Sequence, residues 1–290
     1  MLADAIRAEG YRLSKNRMTV FWSVIFTPLL FAVGGIAYHL NKAQGDKLAA
    51  GANLPTMPVS PVNLAEALTF TANLAAEAKL GGMILVFMLI AGATVYAGDY
   101  RWESWRLISA RNDRTSLILG KVGVMKVLAL ATMLVLLVAS LLFFASQAII
   151  YQRPLSFDMS LAEAGDTLLI WLLSCIRIVQ FGLIGLLTAI VTRSMLAALF
   201  VPLALGFGQS ILGIPPLMAF LGLHPDGWAA QLLMPGLSYD ALKTLLVPGI
   251  TPAPITAAAL WPAIVGLALW TLLPLGASIA WFKRQDLSKE

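Results

Sequence analysis

The sequence predicts an all-α, polytopic membrane protein with six transmembrane helices, and three observations carry that prediction. The 290 residues are 59% hydrophobic and only 12% charged, with a mean hydropathy of +0.82. That composition lies outside the range of soluble globular domains. Six apolar runs, each close to the roughly 20 residues that cross a bilayer as a helix, alternate with polar or proline-rich segments. The basic residues are also unevenly placed. With the N-terminus inside, fourteen of the 20 lysines and arginines fall in cytoplasmic segments, five fall outside, and Arg177 lies within a run. Such a bias predicts both termini in the cytoplasm.

Taken in order, residues 1–17 alternate charge with Leu2, Ile6 and Leu13 at near-helical spacing, which predicts an N-terminal amphipathic interfacial helix. The first span covers about 18–40 and contains Pro28, whose freed carbonyl needs a donor from a neighbouring helix. Residues 41–79 read as an external loop with one helix near 64–78, and the second span covers about 80–98. A polar island, 99–121, precedes the third span at about 127–150, with Lys121 and Lys126 expected to extend back to the surface. The fourth and fifth spans, about 167–191 and 195–218, are joined by the tight turn Thr192-Arg193-Ser194. Residues 219–256 are too apolar for a solvated loop and too rich in proline for a span, so short outer-side helices are expected before the last span at about 255–282.

Several functions are excluded or disfavoured by composition. The net charge of +5 would suggest nucleic acid in a soluble protein, but the basic residues flank apolar runs and report topology. Cys175 is the single cysteine, so no intrachain disulfide forms. No Gly-x-x-x-x-Gly-Lys-Ser/Thr phosphate loop is present: Gly120-Lys121 is followed by Val122. His39 and His224 lack neighbours at metal-ligand spacing. The chain is therefore expected to be neither an enzyme nor a holder of any metal or cofactor.

The island is the most informative stretch. It is rich in arginine and tryptophan, with Trp102, Trp105 and Ser109 on one helical face and Tyr100, Glu103 and Leu107 on another. Residue types alone fit two structures: a short cytoplasmic helix in the headgroup layer, or an ordinary basic loop anchored by tryptophans. The run Glu103-Ser-Trp-Arg-Leu-Ile, then Arg114 and Gly120-Lys121, resembles the cytoplasmic segment after the second helix in permease subunits of ABC-2 type exporters. Ser104, Trp105, Arg106, Arg114 and Lys121 match that pattern. The turn proline of the family is replaced by Asn112-Asp113, and Glu103 stands where glycine is frequent.

The resemblance implies that residues 1–290 form one permease domain, similar to the branch exporting lantibiotic-like peptides. It implies an ABC ATPase subunit as partner, carrying the ATP and Mg sites, and a second permease, identical or related. The segment 99–121 would then couple the ATPase to the spans through Trp102, Glu103, Trp105, Arg106, Arg111 and Arg114, and the cargo would be a hydrophobic or amphipathic peptide, lipid or drug.

Within the spans, Ser174, Arg177, Gln180 and Thr188 share an arc of about 120° on the fourth helix. An arginine at mid-membrane costs about 3 kcal/mol on insertion scales and faces protein or a wet cavity. Pro202, Gly206, Gln209 and Gly213 share a narrower face on the fifth. Arg177, Gln180 and Gln209 are accordingly candidates for a transport pathway or an interface, either within one protomer or between two. An ion-driven secondary transporter would place acidic residues at mid-membrane, and no Asp or Glu lies inside the six runs. A non-transporting membrane scaffold fits the composition as well.

Overall fold

The computed structural model describes residues 2–51, 61–74, 82–101, 105, 113–247 and 255–285. Among the described residues the chain is all-helical apart from two short strands. Its elements are α1 (Leu2–Lys15), α2 (Arg17–Val20), a π-helical turn (Phe21–Phe26), α3 (Thr27–Gly51), β1 (Val62–Asn63), α4 (Leu64–Leu74), α5 (Gly82–Arg101) and α6 (Arg114–Ile150). There follow β2 (Leu155–Ser156), α7 (Leu161–Thr192), α8 (Met195–Leu212), α9 (Pro215–Phe220), α10 (Trp228–Leu233), α11 (Pro235–Leu246), a 3-10 turn (Ala257–Ala259) and α12 (Leu260–Arg284). Among the described residues six helices are long and apolar enough to cross a membrane, the first combining α2, the π turn and most of α3. This makes the chain a multi-pass membrane protein.

The centre of the bundle is α7, which packs against α4, α5, α6, α8, α11 and α12. Of its apolar window 67% is buried, against 11% for α8, so α8 is the peripheral span. Start and stop signals in α7 are local. Ser160 and Glu163 form a reciprocal capping box, and Arg193 closes the helix in the left-handed conformation at φ 56°, turning the chain directly into α8.

Helices outrun the apolar stretches that mark them. The third span was expected from about residue 127, yet α6 begins at Arg114, where the Asp113 carboxylate accepts the Ser116 N–H at 3.1 Å. The first helix continues to Gly51, the fifth ends at Leu212 rather than near 218, and the sixth begins at Leu260. Hydropathy marks the depth of the hydrocarbon, whereas helix ends are set by caps and packing.

Proline is accommodated in the first helix as its chemistry requires. In the π register Pro28 would donate to the carbonyl of Ser23, and it has no N–H to give. Thr132 on α6 donates its hydroxyl to that carbonyl at 3.0 Å instead. In α8, Pro202 leaves the carbonyl of Ala198 free, and this faces Gly185 of α7 so closely that an added Cβ would lie 3.0 Å from it.

The N-terminal helix is not a free surface helix. Ala5 and Glu9 are buried against α6, where a Cβ on Gly120 would come 3.0 Å from that of Ala5. Its inner face, expected to meet lipid, is occupied by protein. At the opposite end of the bundle β1 and β2 pair in parallel, Val62 with Leu155 and Asn63 with Ser156.

Candidate functional site

Two polar clusters lie at different depths of the bundle. The first is at its basal end, where α1, the last turn of α5, the first turns of α6 and the last turns of α7 and α12 meet. Here Lys121, expected to reach solvent, is 1% exposed. Its ammonium group lies 2.6 Å from Asp99 and 3.1 Å from Glu9, and donates to the carbonyl of Val95 at 2.8 Å. Three donors thus meet three acceptors. Arg12 completes the network, binding Glu9 at 3.1 Å and Asp99 at 2.5 Å. The Asp99 carboxylate holds the Arg12 guanidinium above its ordinary value, against a partial burial that acts the other way, so Arg12 stays charged at any physiological pH. Lysine reaches outward only when no buried anion awaits it, and here two do.

Trp105 also departs from expectation. Instead of the headgroup layer it occupies the basal core at 1% exposure, with its ring 4.5 Å from that of Phe282 and 5.7 Å from that of Tyr100. The Lys121 ammonium stands 5.1 Å from its centroid. Arg114 donates to the carbonyls of Phe282, Lys283 and Gln285 at 3.1, 3.0 and 2.7 Å, placing a cation on the unpaired C-terminal carbonyls of α12. Gln285 in turn donates to Ile190 O of α7 at 2.6 Å and accepts from the Tyr100 hydroxyl at 2.8 Å. The segment 99–121 is therefore no separate surface helix at its ends: Asp99 to Arg101 finish α5, and Arg114 to Lys121 open α6. Trp102, Glu103, Arg106 and Arg111 lie outside the described residues.

The second cluster surrounds Arg177, about 22 Å along α7 from its basal end at 1.5 Å per residue. Arg177 is 5% exposed. Its guanidinium binds Asp240 at 3.2 Å and the carbonyl of Gly236 at 3.4 Å, both on α11, and lies 4.6 Å from the Tyr239 ring centroid. Gln209 of α8 accepts the Gly236 N–H at 2.7 Å. Ser174 bridges the Tyr239 hydroxyl at 2.9 Å and Ala72 O at 3.1 Å. Gly236 is the residue that lets α11 seat here, because a Cβ would fall 2.5 Å from the Gln209 amide nitrogen.

The structure thus joins Arg177 with Gln209 through α11. The small-residue face of α8 packs inside the same chain, Pro202 on Gly185 and Gly206 on Phe181. Gln180, one turn further along α7, is fully buried with neither amide atom hydrogen-bonded, and Arg177 Nε is likewise unpaired.

Sequence reasoning missed Glu9, Arg12, Asp99 and Asp240. Pairing across 87 residues, as Arg12 with Asp99, or 63, as Arg177 with Asp240, leaves no local periodic signal. No family model matches the chain, and no curated protein matches it.

Proposed function

We propose that the chain is the membrane-spanning permease subunit of an ATP-driven exporter of the ABC-2 kind, moving a hydrophobic or amphipathic substrate with ATP hydrolysed on a separate subunit. What supports this reading most is the basal hub. Trp105 and Arg114, two residues of the proposed coupling segment, touch α5, α6 and α12 directly, and α7 through Gln285. The Lys121 network adds α1. A push on the elbow would reach five helices without passing through a flexible joint, because satisfied buried polar networks and close aromatic packing are stiff. Two permeases would pair, and two ATPases would dock on the basal faces. The excess of fourteen basic residues over five supports a cytoplasmic place for that end.

Charge reversal at Arg106 or Arg111 tests the docking. The expected result is loss of the co-purifying ATPase or of its coupled hydrolysis; if both persist, the island is only an anchoring loop. Asp99, buried at the end of a span, favours a second reading, an ion-driven secondary transporter. Transport that continues in vesicles without nucleotide and stops with a protonophore would establish that alternative instead.

A further inference from the structure

The distal cluster carries polar groups that its protein partners leave unused. Gln180 is completely buried, and neither its amide donor nor its acceptor is hydrogen-bonded. Arg177, 5% exposed, spends Nη1 on Asp240 and Gly236 while Nε has no partner. Leaving such groups unmatched costs free energy at a place where the chain could have used leucine, so they mark something not supplied by the folded chain alone. Two of the orphaned atoms are donors, one of them on a cation. Arg177 and Gln180 therefore offer the donors that an anion needs.

Asp240 shows what such an anion replaces. Its carboxylate is the only acidic group the described contacts place on Arg177, and its side chain is 47% exposed. An arriving anion can take its place on the guanidinium without leaving that buried cation bare, because the Asp240 end of the pair is open to exchange while the Arg177 end is not. The surroundings define the rest of the ligand. On α7, Ile176 beside Arg177 and Leu172 are exposed, as are Phe207 and Ile211 of α8, so the cluster borders surface that would face acyl chains.

We infer that Arg177 and Gln180 form a membrane-depth site for the anionic head of an amphiphile, carboxylate or phosphate, with Asp240 as the built-in group that the head displaces. Nε and the Gln180 amide N–H donate to the anion, and the Gln180 carbonyl accepts from a head-group hydroxyl. The apolar tail leaves along α7 and α8. This site deepens the exporter reading by giving its cargo a charge, but its test uses the purified chain alone, so an ATPase that fails to bind leaves it standing.

The experiment is a thermal-unfolding titration of the full chain in a neutral detergent with oleate, oleoyl lysophosphatidate and uncharged monoolein. Saturable stabilisation by either anion, absent with monoolein, is expected, and the stronger of the two identifies the head group. Asp240→Asn removes the competitor and is expected to lower the half-saturating concentration about threefold or more. Gln180→Leu is expected to raise it about tenfold, the value of a charge-assisted hydrogen bond. Should Gln180→Leu fail to fold, Asp240→Asn still decides, since misfolding cannot tighten binding. Equal stabilisation by monoolein, or an unchanged half-saturation point in Asp240→Asn, overturns the site.

Discussion

The basal and distal clusters are built from similar residues and satisfied to very different degrees. At the base, Lys121 has an acceptor for each of its three donors and sits between two carboxylates, which in turn share Arg12. Around Arg177, one ion pair is half open to solvent and three buried polar atoms of Arg177 and Gln180 go unpaired. A fully paired network holds helices in one arrangement, whereas a partly paired one has alternatives of similar energy. Under the proposed function, the basal end would transmit force and the distal cluster would exchange ligands. Even at the base, the indole N–H of Trp105 lacks a partner among the described residues, and it belongs to the elbow where a second subunit would dock.

Substitutions that unpair each cluster should separate the two most sharply. Lys121→Met removes the buried cation between Asp99 and Glu9 and leaves them beside the half-exposed Arg12, and is expected to cost about 3–5 kcal/mol. Adding Asp99→Asn should recover part of that loss, which thermal unfolding of the single and double variants would show. An additive double variant would mean that the network is not coupled. Arg177→Met should cost less, about 1–3 kcal/mol, because Gly236 O keeps its bond within helix α11 and the carboxylate it leaves behind is already 47% exposed. Equal losses at the two sites would remove the contrast.

A helix contact supporting neither cluster gives the next smaller effect. Thr132→Val deletes the hydroxyl that serves the Ser23 carbonyl, and buried side-chain hydrogen bonds between membrane helices contribute about 0.6 kcal/mol, up to about 1.7. Its unfolding shift should fall below that of Arg177→Met.

Much of the architecture is legible in the sequence because hydrophobic length is a direct consequence of bilayer thickness. The six spans, the turn at Arg193 and the broken helices before the last span all follow from local composition. The helix containing Leu64 appears too, as α4. Helix ends are not legible in this way. The first turns of α6 are polar, and only their packing on α1 and the cap at Asp113 shows that they are helical.

The fate of charged residues was hardest to read. Arg177 stood out because it interrupts an apolar run, but its partner Asp240 lies in a segment that sequence alone leaves outside the bundle. Lys121 looks like a surface lysine until α1 is folded onto it, since Glu9 is far away in the chain. Trp105 was misplaced for the same reason: tryptophan has a general preference for the interface, and here Phe282, from the far end of the sequence, offers a better contact.

The most direct test of the account is affinity isolation of the tagged full chain from its own membranes in mild detergent, followed by an ATP hydrolysis assay of the eluate. The account predicts a co-isolated nucleotide-hydrolysing subunit whose recovery falls sharply in Arg106→Glu and Arg111→Glu while the permease itself stays folded. Isolation of a chain that transports in vesicles with no such subunit present would contradict it.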